Sequence, residues 1–209
     1  GITEALLRLH SSWQQEQATL ADLIASADAG GEGEADPVAE ARNYLAAQRN
    51  SFPLLDDLAE ALAATAEQAG GVTALLKSKY GLRVRRLPSH VMVGSLRRYD
   101  RHRSEILLDE TLDSASRQFQ LALQLAYLAF RKDMDAMVSA SGVTSDSGAL
   151  LVRRSLASYA AAALVMPYTA FARAVEAKRY DVEALARQFG TSFEQTAHRL
   201  TTLQKPGSE

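Results

Sequence analysis

The chain is 209 residues long, enough for one well-filled core or two small domains. Hydrophobic residues make up 47% and charged residues 23%, and a formal net charge of -2 gives no global field to recruit nucleic acid or anionic lipid. There is no cysteine, which excludes disulfides, Cys-ligated zinc, iron–sulfur clusters and thiol nucleophiles for these residues. No apolar run approaches the roughly 20 residues of a membrane span. Ile2-Thr3-Glu4 lacks the basic start of an export signal, so a cytoplasmic chain is expected. Opening at Gly1 in mid-helix, it reads as part of something larger.

The first segment, 1–28, reads as a connector helix with an apolar seam of Ile2, Leu6, Leu9, Trp13, Leu20 and Leu23, a strip that wants another helix. Residues 29–36, rich in Gly and Glu, read as a flexible linker. Asp36-Pro37 restarts a helix with a cap and a first-turn proline. After Phe52-Pro53, the residues Leu54, Leu55, Leu58 and Leu62 mark another, closed by Gly70-Gly71. A short helix from Thr73 ends at Gly81. Residues 82–87 alternate as a half-exposed strand does; 91–93 and 105–108 are two further apolar runs, and 97–103 reads as a polar hairpin or loop. From the cap at Asp113-Ser114 onward the pattern is helical: 119–130, 150–166 up to Pro167, 182–189 between Asp181 and Gly190, and a last helix to about Leu203 opened by a Ser192/Gln195 capping box. Helices, a small sheet and helices again predict an α+β fold dominated by helix.

Charge is segregated along this order. Residues 22–67 are acidic, with only Arg42 and Arg49 against ten carboxylates, whereas Arg83, Arg85, Arg86, Arg97, Arg98, Arg101 and Arg103 face only Asp100. Two solvated faces that attract each other, or an anion site on the basic stretch, both fit. The last two helices have helix-turn-helix proportions, but the final one opens on Phe193, Glu194 and Gln195 rather than on base-reading cations, which favours a packed structural pair. The histidines His10, His90, His102 and His198 have no metal-ligand spacing, and no Gly-rich phosphate loop or nucleophile elbow is present.

The segment Arg117, Phe119, Ala122, Leu123, Gln124 and Tyr127 resembles the active-site helix of ImmA/IrrE-type zincin metallopeptidases, which reads Arg-x-Phe-x-x-Ala-His-Glu-x-x-His. Ala161 to Pro167 resembles the family's second helix ending. Leu123, Gln124, Tyr127 and Leu156 stand where the resemblance puts the first histidine, the glutamate, the second histidine and the third ligand. Leucine cannot ligate a metal, and glutamine cannot act as a base at neutral pH. The resemblance therefore implies a pseudo-metallopeptidase scaffold with no metal and no catalytic residue.

A longer resemblance covers most of the chain. Ser158 to Tyr168, Ala177 to Glu183 and Ser192 to Gly207 are similar to the actinobacterial short-chain fatty-acid regulators of the PrpR/RamB family. That resemblance implies a sensor domain spanning 37–209 that binds propionyl-CoA or another short acyl-CoA as effector. It implies promoter DNA as partner through a DNA-binding head outside this chain, an iron–sulfur cluster only in a cysteine-bearing C-terminal region also outside it, and a homo-oligomer. Propionate and methylcitrate-cycle genes are the implied target, with acetate and glyoxylate genes as the alternative. A metallopeptidase with unusual ligands, an acyltransferase and a pure dimerisation module are the rival classes. A coenzyme A thioester needs cations for its phosphates, a slot for adenine and a chamber for the acyl group. Helical spacing puts Gln120, Leu123, Gln124 and Tyr127 on one face and Leu156, Tyr159 and Ala160 on the partner helix as the acyl chamber. Arg117, Arg98, Arg101 and Arg153, with Tyr99 and Tyr168, are the candidates for the phosphates and adenine.

Overall fold

A computed structural model describes residues 36–204. The seam helix expected over 1–28 and most of the expected linker lie outside the described residues. Asp36 accepts a hydrogen bond from the Val38 amide and starts α1 (Pro37–Ala47). Phe52-Pro53 starts α2 (Pro53–Gln68), and Gly70-Gly71 turns the chain into α3 (Val72–Tyr80). Gly81, at φ 67, closes α3 in the left-handed conformation that glycine adopts without a steric penalty.

A three-stranded sheet follows, in the order β1-β3-β2. Strand β1 (Arg83–Leu87) runs parallel to β3 (Glu105–Asp109), and β2 (Arg97–Asp100) runs antiparallel to β3. Between β1 and β2 lies a single helical turn, α4 (Ser89–Met92). This corrects two expectations. The apolar run 91–93 is not a strand but the end of that turn, held by amide bonds back to the Pro88 and Ser89 carbonyls. The stretch read as a hairpin or loop supplies a full edge strand.

The remaining helices are α5 (Ser114–Ala129), α6 (Arg131–Ser139), α7 (Asp146–Val165), α8 (Tyr168–Ala177), α9 (Val182–Phe189) and α10 (Phe193–Leu200). Asp113, Ser145, Asp181 and Ser192 cap α5, α7, α9 and α10 with their side-chain oxygens, and Ser192 with Gln195 completes the expected capping box. Helix α7 is long and apolar enough to cross a bilayer by composition, yet most of it is buried inside the molecule. It packs against α1, α2, α5 and α6 and carries Leu156, Ala157, Ala160, Ala161 and Ala163, each fully shielded. Small residues let these neighbours approach closely, and one core extends from Ala41 to Leu164 around them. A second, smaller core joins Ala162 and Met166 to Phe171, Ala174, Val175 and Leu185.

A buried ion pair fastens the terminal helix pair to the main core. Arg199 of α10 and Asp56 of α2 are both at 0% exposure and meet at 2.7 Å. Arg199 also donates to the Met166 carbonyl at 3.2 Å and to Thr202 Oγ1 at 3.0 Å. The Tyr159 hydroxyl donates to the other Asp56 oxygen at 2.7 Å and accepts from the Phe52 amide at 3.2 Å. Arg199 is thereby committed to the interior and is not available on the surface of α10.

Candidate functional site

The helix bearing the zincin-like spacing is α5. Its inward positions Leu121, Ala122, Leu125 and Ala126 are buried against the core, which fixes the helix and turns Gln120, Gln124 and Tyr127 toward β2. There they meet Arg97. Its Nε donates to Gln120 Oε1 at 3.3 Å, its Nη1 donates to Gln124 Oε1, and its Cζ lies 5.7 Å from the Tyr127 ring centroid. The strand register explains the meeting. Arg97 and Arg86 both pair with Leu108, which is buried, so both lie on the helix-facing side of the sheet. Arg98 falls on the other side.

The electrostatics follow from this packing. Burial lowers the Arg97 pKa, and the neighbouring Arg154 charge lowers it further against an opposing effect of Tyr127. Burial likewise raises the Tyr127 hydroxyl pKa, which the charges of Arg97, Arg154 and Arg153 partly offset. Arg97 has no carboxylate partner among the described residues.

The expected acyl chamber is therefore split. Gln120, Gln124 and Tyr127 come together, but around a guanidinium rather than around an apolar void. Leu123 packs against the main core, and Leu156 and Ala160 are interior at 0% exposure. Tyr159 spends its hydroxyl on Asp56 and Phe52, and burial first, then Asp56, pushes its pKa up to about 12. Tyr168 is buried beside the same ion pair, with Arg199 Cζ 5.8 Å from its ring centroid, so an adenine-stacking role loses its exposed face.

The expected phosphate cations are also scattered. Arg117 shares the α5 face but donates to the Leu112 carbonyl, bracing the turn after β3. Arg153 pairs with Asp135 at 2.7 Å. Arg98 donates to the Met92 carbonyl at 3.4 Å. Arg101 lies 6.0 Å from the centroid of Tyr99, itself packed on the core. Sequence reasoning missed Arg97 and Arg154 as site residues. The signal available for Arg97 was two-residue alternation with Tyr99, which the reading of 97–103 as a loop discarded.

Clefts open on the surface of the described residues. One of about 620 Å³ is lined by Arg85, Arg86 and Glu110, and one of about 300 Å³ by residues of 70–73 with Gln118 and Leu121. Neither is lined by Leu123, Gln124 or Tyr127. Among the described residues no three His, Cys, Asp or Glu side chains gather as a metal shell. A zinc ion does not fit the residues of this site: leucine offers no donor, and a guanidinium lies on Gln124 where a metal would need a lone pair.

Residues 77–201 match the family model described as the IrrE N-terminal-like domain, a peptidase family. The HTH-type transcriptional regulator RamB of Mycobacterium tuberculosis is 34% identical over 216 residues, covering 99% of this chain and 45% of that protein. The propionyl-CoA carboxylase regulator of Cereibacter sphaeroides is 30% identical over 213 residues, covering 100% of this chain and 45% of its own length. A solved structure of a Mycobacterium tuberculosis transcriptional regulator superposes with a TM-score of 0.75 at 30% identity, over 82% of this chain and 53% of that one. The chain spans less than half the length of these curated relatives. With a helical α+β body and residues 77–201 matching the family model, the chain belongs to the IrrE N-terminal-like family, and transcription regulators are among its relatives.

Proposed function

We propose that this chain is the sensor part of a transcription regulator that binds a short acyl-coenzyme A and has no peptidase activity. The observation that carries the reading is the replacement of the metal shell by Leu123, Gln124, Tyr127 and Leu156, with Arg97 seated on Gln124. The family's framework is retained, but the water-activating pair is lost, and what remains is a cationic receptor site. One relative supports coenzyme A chemistry, since by its name it regulates a propionyl-CoA carboxylase. Arg86 beside the larger cleft, and Arg98 and Arg101 across the sheet, are exposed cations suited to phosphates. Propionate genes are the favoured target and acetate genes the alternative. Promoter DNA would be read by another part of the protein, in the cytoplasm, and a homo-oligomer fits the expected seam.

Thermal unfolding with and without ligand tests this. A thioester at a hundredfold its Kd stabilises the fold by about 2.7 kcal/mol, and free propionate gives no comparable shift. Full stabilisation by free propionate would remove the nucleotide end from the reading. Metal analysis of protein purified without chelator is expected to find no stoichiometric zinc. One zinc per chain, lost in a Gln124→Ala/Tyr127→Ala variant, would restore the metallopeptidase alternative. Native mass spectrometry reads subunit count and any retained coenzyme A together.

A further inference from the structure

The site between β2 and α5 carries a positive charge that no carboxylate among the described residues neutralises. Arg97 is half-buried and has five N–H donors, of which two are used, both on neutral amides. Gln124 is 3% exposed and meets the guanidinium with a neutral amide, at the position where the family resemblance puts a glutamate. On the α7 side, Arg153 is neutralised by Asp135, while the exposed Arg154 has no partner among the described residues and adds its charge to the field at Arg97 and Tyr127. Burying a guanidinium against amides and an aromatic ring is costly unless an anion completes it.

We infer that this site receives an oxyanion at the acyl end of the bound ligand, so that the preferred effector is a short acyl-coenzyme A whose acyl chain itself carries a carboxylate. The inference rests on the coenzyme A reading above and specifies its ligand. A carboxylate is planar and singly charged, and the free edge of a guanidinium fork takes it with two parallel hydrogen bonds. Tyr127, whose ring lies 5.7 Å from Arg97 Cζ and whose hydroxyl pKa is raised first by burial, brings a further O–H donor to the site. A purely hydrocarbon acyl group would leave three Arg97 N–H groups facing methyl or methylene carbon, each an unpaired donor. The phosphates of coenzyme A, doubly charged and strongly hydrated, are better matched by the exposed Arg86. That residue lies on the same face in the same register row as Arg97, with Leu108 between them, about 10 Å away across two strand spacings.

Calorimetric titration of the wild-type chain with coenzyme A, propionyl-CoA and methylmalonyl-CoA tests the assignment, because the two thioesters differ by one carboxylate. Methylmalonyl-CoA is expected to bind about tenfold tighter or more, within the range of a charged hydrogen-bonded pair. In Arg97→Gln the ratio of the two affinities falls to near one. Arg154→Gln, an exposed change that spares the core, narrows the ratio severalfold and serves if Arg97→Gln does not fold. Equal or tighter binding of propionyl-CoA by the wild type overturns the inference. So does an unchanged ratio in a folded Arg97→Gln, or in Arg154→Gln if Arg97→Gln does not fold. A uniform loss across coenzyme A and both thioesters with the ratio intact assigns the anion to a phosphate and likewise overturns it. If no coenzyme A species binds, the sensor reading fails by itself. The oxyanion site then stands only if free methylmalonate raises the melting temperature of wild type but not of Arg97→Gln, or of Arg154→Gln if Arg97→Gln does not fold, and falls if it does not.

Discussion

Glu40 shows how a single side chain can tie the stability of this fold to pH. Its carboxylate accepts from the Thr144 amide at 3.1 Å, from Thr144 Oγ1 at 2.6 Å, from the Ser145 amide at 3.3 Å and from the Ser145 hydroxyl, joining α1 to the start of α7. The Ser145 and Thr144 hydroxyls foremost lower its pKa from 4.5 to about 2. A group depressed in the folded state contributes stability above its unfolded pKa and loses it as pH falls toward the folded one. Asp109, held down chiefly by Thr111, and Asp113, held down chiefly by Ser116, act in the same direction, so the difference between two proteins is the clean measurement. The gap in melting temperature between wild type and Glu40→Gln should be widest above pH 5 and close near pH 2. A gap independent of pH would mean that packing, not charge, is what Glu40 supplies. Gly148 belongs to the same junction. A Cβ there would lie 2.6 Å from Glu40 Oε2 and 2.7 Å from both Ser145 Oγ and Val143 Cγ1. Gly148→Ala is expected to cost ~1–3 kcal/mol in urea titrations despite its helical position, where alanine normally gains. The cost should shrink in a Glu40→Ala background, since the nearest clashing atom is then gone.

Elements whose signals are local were legible in the sequence, and elements set by distant partners were not. The caps at Asp36, Asp113, Asp181 and Ser192 and the stops at Gly81 and Gly190 lie within a turn of what they fix, and the structure places each helix end accordingly. The spacing of Gln120, Gln124 and Tyr127 was readable for the same reason. Strand β2 was not, because Arg97-Arg98-Tyr99-Asp100 offers one apolar side chain and becomes a strand only by pairing with β3 and docking on α5. That docking is what delivers Arg97, so the central cation of the site was lost together with the strand. The turn that aims β2 is strained: Val93, 75% exposed, has φ 50, a conformation that a β-branched residue pays for, and Gly94 follows at φ 75. Val93→Asn is expected to stabilise the domain by ~0.5–1 kcal/mol, read as a raised urea midpoint. A lowered midpoint would show that the Val93 side chain makes a contact worth more than the strain.

For the molecule as a whole, ion pairs from the acidic and basic stretches run to other segments. Asp56 turns inward to Arg199, while Arg83 and Arg85 share Glu105 at 3.1 and 3.3 Å. The inward pair bridges segments 143 positions apart and makes the terminal helix pair part of one cooperative unit. Removing one partner, as in Arg199→Met, strands a buried charge and should cost ~3–5 kcal/mol. The double change Asp56→Leu/Arg199→Met should recover most of that, and equilibrium unfolding of the four proteins in a mutant cycle measures the coupling. A single loss no larger than the double one would mean that the ions are dispensable to each other. The sheet bears on solubility too. With the order β1-β3-β2, the outer backbone of β1 has no strand beside it among the described residues and could recruit the same strand of another molecule. Arg83 and Arg85, with side chains 69% and 54% exposed, and the exposed Arg86 set a row of like charge along that rim. Two such rims repel one another. Charge on the β1 rim thereby works against pairing of this edge with the same strand of another molecule.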